Sequence, residues 1–298
     1  MGAISVRLET SPKDVLLLQK TCRWLLAALG VLVLLAGLAV FSLFYQQRDA
    51  VPVLNYHQIN DTEHNSLTVN TEQFEAQMKY LKDEGYTPIT PAEMLDAFDG
   101  KGTLPARPVV ITFDDGYRDN YNHAFPILEK YGFKATIFLI SDYVSTFPNY
   151  LTWSQVSEMQ DSGLIDFESH TLSHEELAKA PSSEEIFHQL KGSKDAIEWN
   201  TGKNIDFIAY PCGEYTQEIE DLTREAGYRA AFTVNYGLAS PAENHFILDR
   251  VPIFGSNSHT LLRFKLRLRL APLFAPLDRL RVSLKKTHPT LAQWILVP

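Results

Sequence analysis

The stretch that decides the fold is VVITFDDGY, residues 109–117. Its apolar and β-branched residues predict a buried strand, and that strand runs directly into two carboxylates, Asp114 and Asp115. Neighbouring anions at the end of a buried strand repel each other and lose their hydration. A bound metal ion is one candidate for offsetting that cost, so the stretch raises the question of a metal site.

Segments of two kinds alternate on both sides of this stretch. Short apolar runs predict strands, and segments with apolar residues at helical spacing, opened by capping residues and closed by glycine, predict helices. The predicted strands lie within residues 51–57, 108–113, 134–140, 164–170, 204–213, 228–234 and 246–254, and the predicted helices within 70–85, 90–98, 120–131, 152–163, 182–200 and 216–226. This alternation indicates an α/β protein whose parallel sheet is either open or closed into a barrel.

Polar residues follow several of these predicted strands. Asp114 and Asp115 end one strand, His170 ends another, and the turn at residues 210–213 ends a third. In parallel α/β barrels the chemistry is located at the carboxyl ends of the strands. Three independent positions therefore converge on one face, which indicates an active site more strongly than any one motif does.

His170 and His174 are four residues apart in the segment SHTLSH. On a helical turn both imidazoles would lie on the same side, and such a pair is a recurrent way to hold a divalent metal. Alone, the pair is equally compatible with two surface histidines. Thr171 follows the first histidine where a zinc-protease helix has glutamate, which argues against that class.

The histidine pair and the aspartate pair together indicate a metal site more specifically than either pair does alone. Two histidines and one carboxylate are three protein ligands that leave an open position for water, which is the pattern of a catalytic metal site. One aspartate is then a ligand, and its neighbour accepts the proton of the attacking water. The competing interpretation of the DDG segment is a turn or a helix N-cap, and the histidine pair makes it the weaker one.

Three motifs in this order resemble the polysaccharide deacetylase (NodB-homology) family: TFDDGY at 112–117, SHTLSH at 169–174 and YPCGEY at 210–215. The similarity covers about residues 51–255. The opening VLNYHQI, residues 53–59, further resembles the poly-N-acetylglucosamine deacetylase branch of that family. The resemblance implies a distorted, incomplete (β/α) barrel that removes N-acetyl or O-acetyl groups from polysaccharides.

Carried over by position, the resemblance also implies roles for individual residues. Asp115, His170 and His174 would bind the metal, most often Zn2+, with Co2+ or another divalent ion as alternatives. Asp114 would be the general base. The backbone N–H of Cys212 would help to stabilise the oxyanion of the tetrahedral intermediate, because a backbone donor needs no particular side chain.

The general acid that protonates the leaving amine is less obvious. Many family members use a late LxH histidine, and no such motif follows Tyr236. His57, in NYHQI, is the better candidate, because that branch is expected to supply its acid from the N-terminal side and because histidine titrates near neutrality. The alternative is that His57 is a packed or surface histidine.

Two positions depart from the family pattern. The arginine often found four residues before the glycine of the third motif is Ala209 here, and the usual tyrosine just before that glycine is Cys212. We expect Arg250, in LDRVPI, to supply the missing cation from a later strand end. The sequence also has no match to the family's DxxxW-like fourth motif. These differences make the identity of the substrate harder to predict than the catalytic reaction.

The charge is unevenly spread along the chain, whose formal net charge is -9. Residues 51–258 carry 14 Lys and Arg against 32 Asp and Glu, whereas residues 259–298 carry 8 against 1. The acidic middle argues against a nucleic-acid partner. The only cysteines, Cys22 and Cys212, provide neither a disulfide framework nor a cysteine-based zinc cluster.

Residues 24–45 are a run of 22 residues without a charge. A membrane span needs about 20 such residues, whereas a secretory signal has an apolar region of about 7–15 residues. The run therefore predicts a single transmembrane anchor that is not removed. Gly37 and Ala39 form a weak cleavage-like pair, which leaves processing as the alternative.

The orientation of this anchor follows from its flanking charges. Lys20 and Arg23 lie on its N-terminal side. The positive-inside bias then places residues 1–23 in the cytoplasm and residues 50–258, the predicted deacetylase domain, in the periplasm or outside the cell, if the source is a bacterium. The protein is thus predicted to be a single-pass membrane protein of the bacterial inner membrane.

Residues 259–298 form a basic and apolar C-terminal tail. Apolar and basic residues alternate over 262–270, and Pro272 and Pro276 are expected to break any long helix. The tail could lie on an anionic membrane surface. The alternatives are a strand or helix that packs on the barrel and a docking surface for another protein.

The function predicted from these features is hydrolysis of N-acetyl groups on a polysaccharide that contains N-acetylglucosamine, in the envelope or outside the cell. The enzyme would be metal-dependent and anchored in the membrane, with no nucleic-acid partner. Two alternatives stay open, an O-acetyl esterase and a catalytically silent carbohydrate-binding module on the same fold. Loss of a metal ligand would favour the module, and no ligand is lost here.

Overall fold

The computed structural model describes residues 12–255 and 260–298 and divides into two compact units, Met1–Arg48 and Asp49–Pro298. The first contains helix α1 (Pro12–Gln46). Its segment Arg23–Gln46 is long and apolar enough to cross a membrane, by length and composition. Residues 1–11 of the predicted cytoplasmic segment and the predicted boundary between residues 258 and 259 lie outside the described residues.

The second unit is built on parallel strands. Within the described residues the strands are β1 (Val53–Tyr56), β2 (Gln58–Ile59), β3 (Thr68–Val69), β4 (Thr87–Pro88), β5 (Pro108–Phe113), β6 (Ala135–Leu139), β7 (Ile165–Ser169), β8 (Phe207–Ala209), β9 (Ala230–Tyr236) and β10 (Leu248–Pro252). Seven of them close into a ring in the order β1-β5-β6-β7-β8-β9-β10, with β10 pairing back onto β1. The ring has seven strands where a complete (β/α) barrel has eight, so the predicted incomplete barrel is confirmed.

The barrel is distorted in two places. The register between β9 and β10 shifts between Leu248 and Arg250. At the other side, β5 pairs with β4 at its first residues and with β1 from Val110 onward. The three two-residue strands β2, β3 and β4 are not predicted from the sequence, because two residues are too few to show a period.

Helices cover the outside of the barrel between the strands. They are α2 (Thr71–Asp83), α3 (Pro91–Phe98), α4 (Phe125–Tyr131), α5 (Trp153–Asp161), α6 (Ser183–Thr201) and α7 (Gln217–Glu225). The predicted capping box at Thr90 and Glu93 is present at the start of α3. A π-helical turn, Asn120–Ala124, leads into α4.

Alternation along the strands separates the barrel interior from its outer surface. Val53 and Val110 face each other in register and belong to the interior cluster, together with Phe138 and Phe232. Their neighbours in the chain pack outward against the helices. Two residues further along β1 and β5 the same side of the strands carries polar residues, so the interior changes from apolar to polar toward the carboxyl ends.

The C-terminal helices are α8 (Leu261–Arg269), α9 (Ala271–Thr287) and α10 (Pro289–Ala292). The expectation that the prolines break any long helix is wrong, because α9 runs for 17 residues with Pro276 inside it. Pro272 lies in the first turn, where no backbone N–H is needed, and the carbonyl that Pro276 leaves without its helical donor belongs to that same first turn.

Several cations of the tail pair with the barrel unit instead of facing outward. Arg269 forms an ion pair with Glu84, and Arg279 forms one with Asp249. The Arg267 side chain is buried, with its guanidinium carbon 4.4 Å from the centre of the Tyr236 ring. These contacts favour the packed alternative for α8 and α9 over a free basic surface.

Candidate active site

Asp114 lies at the carboxyl end of β5, inside the mouth of the barrel. Its Oδ1 and Oδ2 accept hydrogen bonds from Arg250 Nη1 and Nη2, both at 2.7 Å, and Oδ2 also accepts one from Asn55 Nδ2 at 2.9 Å. Burial raises the pKa of the Asp114 carboxyl, but the Arg250 guanidinium more than offsets this and holds the pKa well below its usual range. Asp114 is therefore an ionised carboxylate with a fixed orientation.

Arg250 is fully buried and comes from β10. Its Nε donates to the Thr233 carbonyl at 2.7 Å, and its Nη1 lies 3.4 Å from Thr112 Oγ1. Together with the two bonds to Asp114, these contacts hold the planar guanidinium in one orientation. The structure thus places the predicted cation beside the predicted base, although the two residues are 136 positions apart in the chain.

Asp115, His170 and His174 bring one carboxylate oxygen and two ring nitrogens together. Asp115 Oδ1 lies 3.3 Å from His170 Nε2 and 3.5 Å from His174 Nε2. The three possible ligand atoms all lie within 4.8 Å of one another. Burial raises the pKa of Asp115, but the contact with His170 outweighs it and leaves the pKa lowered. Burial lowers the pKa of His174.

Two details of this group fit a divalent cation. Asp115 Oδ1 is buried and, within the described part of the chain, has no hydrogen-bond partner. His170 Nδ1 lies 2.7 Å from the Ala209 carbonyl, which can only accept, so Nδ1 carries a proton and Nε2, on the side of Asp115, is the nitrogen available to a metal. One carboxylate oxygen and two imidazole nitrogens are donors that suit Zn2+ and related ions. The residues therefore fit the metal that the sequence predicts.

The backbone around these groups is strained. In the described residues, six non-glycine residues have a clearly positive φ, and four of these lie in the three motifs: Asp115, Thr171, His174 and Cys212. Such conformations cost of order 1–3 kcal/mol each and cluster at functional sites. Gly116 has φ 75°, a backbone conformation that residues with a side chain rarely adopt, so glycine is favoured directly after the aspartate pair.

The helical turn predicted for SHTLSH is wrong. β7 ends at Ser169, and a loop follows in which Thr171 has φ 67° and His174 has φ 61°. The His174 N–H donates to Thr171 Oγ1 at 3.1 Å, which stabilises the turn. The loop still brings the two imidazoles together, with ring centres 4.8 Å apart.

His57 follows β1 and borders Asp114. Its Nε2 lies 4.0 Å from Asp114 Oδ2, and its side chain is 15% exposed. Asn120 Nδ2 donates to the His57 carbonyl at 2.8 Å and fixes this part of the chain. Burial lowers the pKa of His57, and the charge of Asp114 opposes this only in part. The histidine is therefore at the rim of the site, where it can meet both a substrate and solvent.

Cys212 lies in the 3-10 turn Pro211–Gly213, which follows β8. The N–H groups of Gly213 and Glu214 donate to carbonyls at the start of the turn. In the described residues the Cys212 N–H donates to no backbone carbonyl. Burial, followed by nearby carboxylates that include Asp115, raises the pKa of its thiol, so the residue is within electrostatic reach of the histidine and aspartate group.

All predicted site residues are thus brought to the mouth of the barrel, and the structure adds Asn55 and Tyr117 to them. Asn55 bonds Asp114 directly. It lies two residues before His57, so strand alternation places both on the same side of β1 and could have indicated it. Burial and the charge of Asp115 raise the pKa of Tyr117, which lies two residues after that carboxylate.

The closed parallel barrel and the carboxylate and histidine group at its mouth define a (β/α) barrel with a candidate metal centre. The sequence profile of the family described as polysaccharide deacetylase matches residues 101–231. A Bacillus subtilis (strain 168) protein named as a polysaccharide deacetylase, YxkH, is 37% identical over 68% of this chain and 71% of its own length. The chain belongs to the polysaccharide deacetylase family, which confirms the predicted family and enzyme class.

Further relatives agree with this family. The poly-beta-1,6-N-acetyl-D-glucosamine N-deacetylase of Staphylococcus aureus (strain MRSA252) is 30% identical over 71% of this chain and 81% of its own length. Among solved structures, the Streptococcus pyogenes deacetylase PplD in complex with acetate has a TM-score of 0.66 and 30% identity, over 78% of this chain and 97% of its own. The similarity to PplD covers the barrel fold.

Proposed function

We propose that the protein is a metal-dependent N-deacetylase of a polysaccharide that contains N-acetylglucosamine. The observation that carries the proposal is the pair of adjacent carboxylates at the mouth of the barrel. Asp114 is kept ionised by Arg250, and Asp115 points toward two histidines an oxygen that accepts no hydrogen bond from the described residues. The Staphylococcus aureus relative, which is named as an N-deacetylase of poly-β-1,6-N-acetylglucosamine, supports the choice of substrate class.

Asp115, His170 and His174 would hold the metal. A divalent ion at this position would supply a Lewis acid that polarises the acetyl carbonyl and makes water a better nucleophile. The role of the protein is to keep the three donors deprotonated and oriented. The bond between His170 Nδ1 and the Ala209 carbonyl does this for one imidazole.

Asp114 is the proposed general base. A water molecule that attacks the acetamide carbon has to lose a proton, and the Asp114 carboxylate is ionised and fixed by Arg250 and Asn55. The bidentate contact leaves the carboxylate little freedom to rotate, so the accepting oxygen is already in position. Negative charge then develops on the acetyl oxygen, where the Cys212 N–H is the proposed donor.

His57 is the proposed general acid. The leaving nitrogen needs a proton before the carbon–nitrogen bond breaks, and a histidine at the rim of the site can supply it. The 4.0 Å between His57 Nε2 and Asp114 Oδ2 is too long for a direct hydrogen bond. The two groups can therefore act separately, one as the acid and one as the base.

We also propose that the helix Arg23–Gln46 anchors the chain in a membrane. Its length and hydropathy support a span, and the described side chains from Arg23 onward are largely exposed. With Arg23 at its N-terminal end, the positive-inside bias favours a cytoplasmic N-terminus and a deacetylase domain on the other side. Residues 50–258 are the proposed deacetylase domain, and residues 259–298 are the proposed C-terminal tail.

The test is release of acetate from β-1,6-linked N-acetylglucosamine oligomers by the full-length protein in detergent. The protein is first treated with a chelator and then assayed without metal and with added Zn2+ or Co2+. We expect metal-dependent release that is lost in Asp114→Asn and in His170→Ala. The substitution Asp161→Asn, at an exposed carboxylate at the end of α5, is the matched control.

Parallel assays with an O-acetylated xylan identify the bond that is cleaved. Acetate from xylan and none from the oligomers would replace the proposed amide substrate by an ester. Binding of metal without acetate from either substrate would point to another glycan. Failure of the folded protein to bind any of the ions would overturn the enzyme proposal and favour a silent carbohydrate-binding module.

A further inference from the structure

Beside the candidate active site lies a loop that is rich in aromatic residues. It joins β6 to α5, and we call its residues Tyr143, Phe147 and Tyr150 the aromatic platform. Their rings contact each other, with centres 4.8 Å apart for Tyr143 and Phe147 and 4.9 Å apart for Tyr143 and Tyr150. Tyr117, from the DDGY motif, stacks on Tyr150 at 5.0 Å. The platform is therefore continuous with the motif that carries both aspartates.

Backbone hydrogen bonds fix this loop to the loop of the aspartate motif. The Leu151 N–H donates to the Gly116 carbonyl at 3.0 Å, and the Arg118 N–H donates to the Asn149 carbonyl at 2.8 Å. Gly116 directly follows the proposed metal ligand Asp115. The aromatic rings are therefore held at a fixed distance from that carboxylate.

The same loop is also bonded to the histidine motif. The N–H groups of Ser141 and Asp142 donate to the carbonyls of Thr171 and Leu172, at 3.2 and 3.0 Å. The Tyr143 hydroxyl donates to the Ser173 carbonyl at 3.3 Å. The platform thus bridges the two loops that hold the proposed metal ligands, so a ligand on it would have a fixed position relative to the reacting group.

The platform has an open surface. The Phe147 side chain is 47% exposed, whereas Tyr143 and Tyr150 are half-buried beneath it. These rings, with Pro148 and Asn149, line a cavity of about 290 Å³. A ring needed only to fill the loop would be covered by its neighbours, and Phe147 is not. The exposed ring is therefore available to a ligand.

A second cavity of about 270 Å³ adjoins the first and has a different character. The two share Pro148 and Asn149, and the second extends to Gln58 and Tyr117, the residues next to His57 and Gly116. Its lining is mainly polar, with amide, carboxylate and guanidinium groups. An aromatic surface thus continues into a row of hydrogen-bonding groups that includes Tyr117 of the DDGY motif.

We propose that the aromatic platform binds a sugar ring of the polysaccharide that neighbours the unit losing its acetyl group. The inference rests on the proposed function and names a further contact for the same substrate. One face of a pyranose ring presents C–H groups, which are attracted to the negative face of an aromatic ring, while its edge carries hydroxyl groups. The apolar cavity matches the face of the sugar, and the polar cavity matches its hydroxyl edge.

The platform gives the enzyme a preference for polymers. A single N-acetylglucosamine can reach only the active site, whereas a longer oligomer also covers Phe147. The additional contact raises the affinity for the longer substrate and leaves the chemical step unchanged, because the platform touches no reacting atom. The preference therefore appears in KM and in the dissociation constant more than in kcat.

Binding of a β-1,6-linked N-acetylglucosamine pentamer, measured by calorimetry, tests this proposal. The full-length protein carries Asp114→Asn so that the ligand is not consumed, and Phe147→Ala is added to it. We expect Phe147→Ala to raise the dissociation constant about fivefold to tenfold, the size of one aromatic contact. Phe147→Trp, which keeps an aromatic ring, should retain the tighter binding.

The matched control is Trp199→Ala, because Trp199 is an aromatic residue that is 88% exposed near the end of α6. Equal dissociation constants for Phe147→Ala and Trp199→Ala would overturn the platform, as would failure of the pentamer to bind at all. With Asp114 restored, KM for the pentamer should rise in Phe147→Ala, and the difference between the variants should shrink for a dimer.

These measurements separate the platform from the proposed function. If the pentamer binds more weakly to Phe147→Ala but the enzyme with Asp114 releases no acetate, the platform stands and the N-deacetylase proposal fails. If acetate is released and Phe147→Ala behaves like Trp199→Ala in both binding and KM, the N-deacetylase proposal stands and the platform fails.

Discussion

Asp114 and Asp115 are neighbours in the chain, but the two sides of the barrel mouth treat their carboxylates differently. On the β1 and β10 side, Asp114 has both oxygens bonded to Arg250 and one of them also to Asn55. On the β7 side, Asp115 meets two histidines, and its Oδ1 has no hydrogen-bond partner within the described residues. The charge of Asp114 is neutralised by an arginine, whereas the ion pairs of Asp115 within the described residues are with histidines alone.

This difference explains why two adjacent anions can end a buried strand. Arg250 offsets the charge of Asp114 inside the barrel, where an unpaired carboxylate would be costly. The left-handed backbone at Asp115, with φ 74°, turns the second carboxylate away from the first. The Asp114 side is thus complete within the protein, and the Asp115 side is suited to an external cation.

The largest effect is expected on the Asp114 side, from Asp114→Asn. The amide keeps the shape of the carboxylate but cannot accept the proton of the attacking water. We expect kcat for acetate release to fall about 10²–10⁴-fold. Metal affinity, measured by titration with Zn2+, should stay within a few-fold of the unmodified protein. Loss of metal binding in this variant would contradict the division between the two sides.

The next effect concerns the stability of the same side. Arg250→Met removes the buried cation and leaves Asp114 without its main partner. Breaking a buried pair in this way costs about 3–5 kcal/mol, which urea unfolding of the metal-free protein can measure. The double variant Asp114→Asn with Arg250→Met should recover part of the loss, because no buried charge is left unpaired. An additive double variant would show that the two residues do not interact.

A smaller effect is expected on the Asp115 side, from Asp115→Asn. Asparagine tolerates the left-handed backbone at this position, so the fold should be retained. Loss of a charged ligand should weaken Zn2+ binding by at least about 100-fold, more than loss of an outer partner usually does. The stability of the metal-free protein should change by less than about 1 kcal/mol, unlike that of Arg250→Met. A stability loss as large as that of Arg250→Met would make Asp115 a structural residue.

Much of the fold could be predicted because the chain is locally consistent. The longer strands coincide with runs of apolar residues in the sequence. The helices begin at recognisable capping residues such as Thr90 and Thr152. The elements that local sequence patterns did not predict were either too short to show a pattern or depended on their position in the fold. β4 has only two residues, and Pro276 is tolerated in α9 because it lies one turn from the helix start.

The candidate site was predictable in its residue types and less so in its geometry. The spacing of His170 and His174 suggested a helical turn, but two left-handed residues produce the same proximity in a loop. Arg250 could be named because Ala209 lacks the family's charge, yet only the closure of β10 onto β1 brings it to Asp114. The contact of Asn55 with Asp114 was not predicted, although alternation along β1 places Asn55 on the same side as His57.

A third carboxylate, Glu243, sharpens the comparison because, among the described residues, it belongs neither to a bidentate arginine pair nor to the carboxylate and histidine group. Its Oε2 is buried and has no hydrogen-bond partner among the described residues. Burial, together with the charge of Asp249, raises the pKa of Glu243 to about 7. A carboxylate that lacks both of the arrangements found at the barrel mouth is thus held partly protonated near neutral pH.

The smallest predicted effect follows from this pKa. A raised pKa in the folded state means that the stabilising contribution is complete below about pH 4.3, the ordinary value for glutamate, and is lost as the pH rises through about 7. Because Glu243 is only partly buried, we expect the loss between pH 5 and pH 8 to be about 1 kcal/mol. Glu243→Gln should remove that part of the pH dependence and raise Tm at pH 8 by about 2–4 °C.

Glu225→Gln, at an exposed glutamate that ends α7, should leave the pH dependence of stability unchanged. An unaltered pH profile in Glu243→Gln would mean that burial alone does not hold this carboxyl protonated.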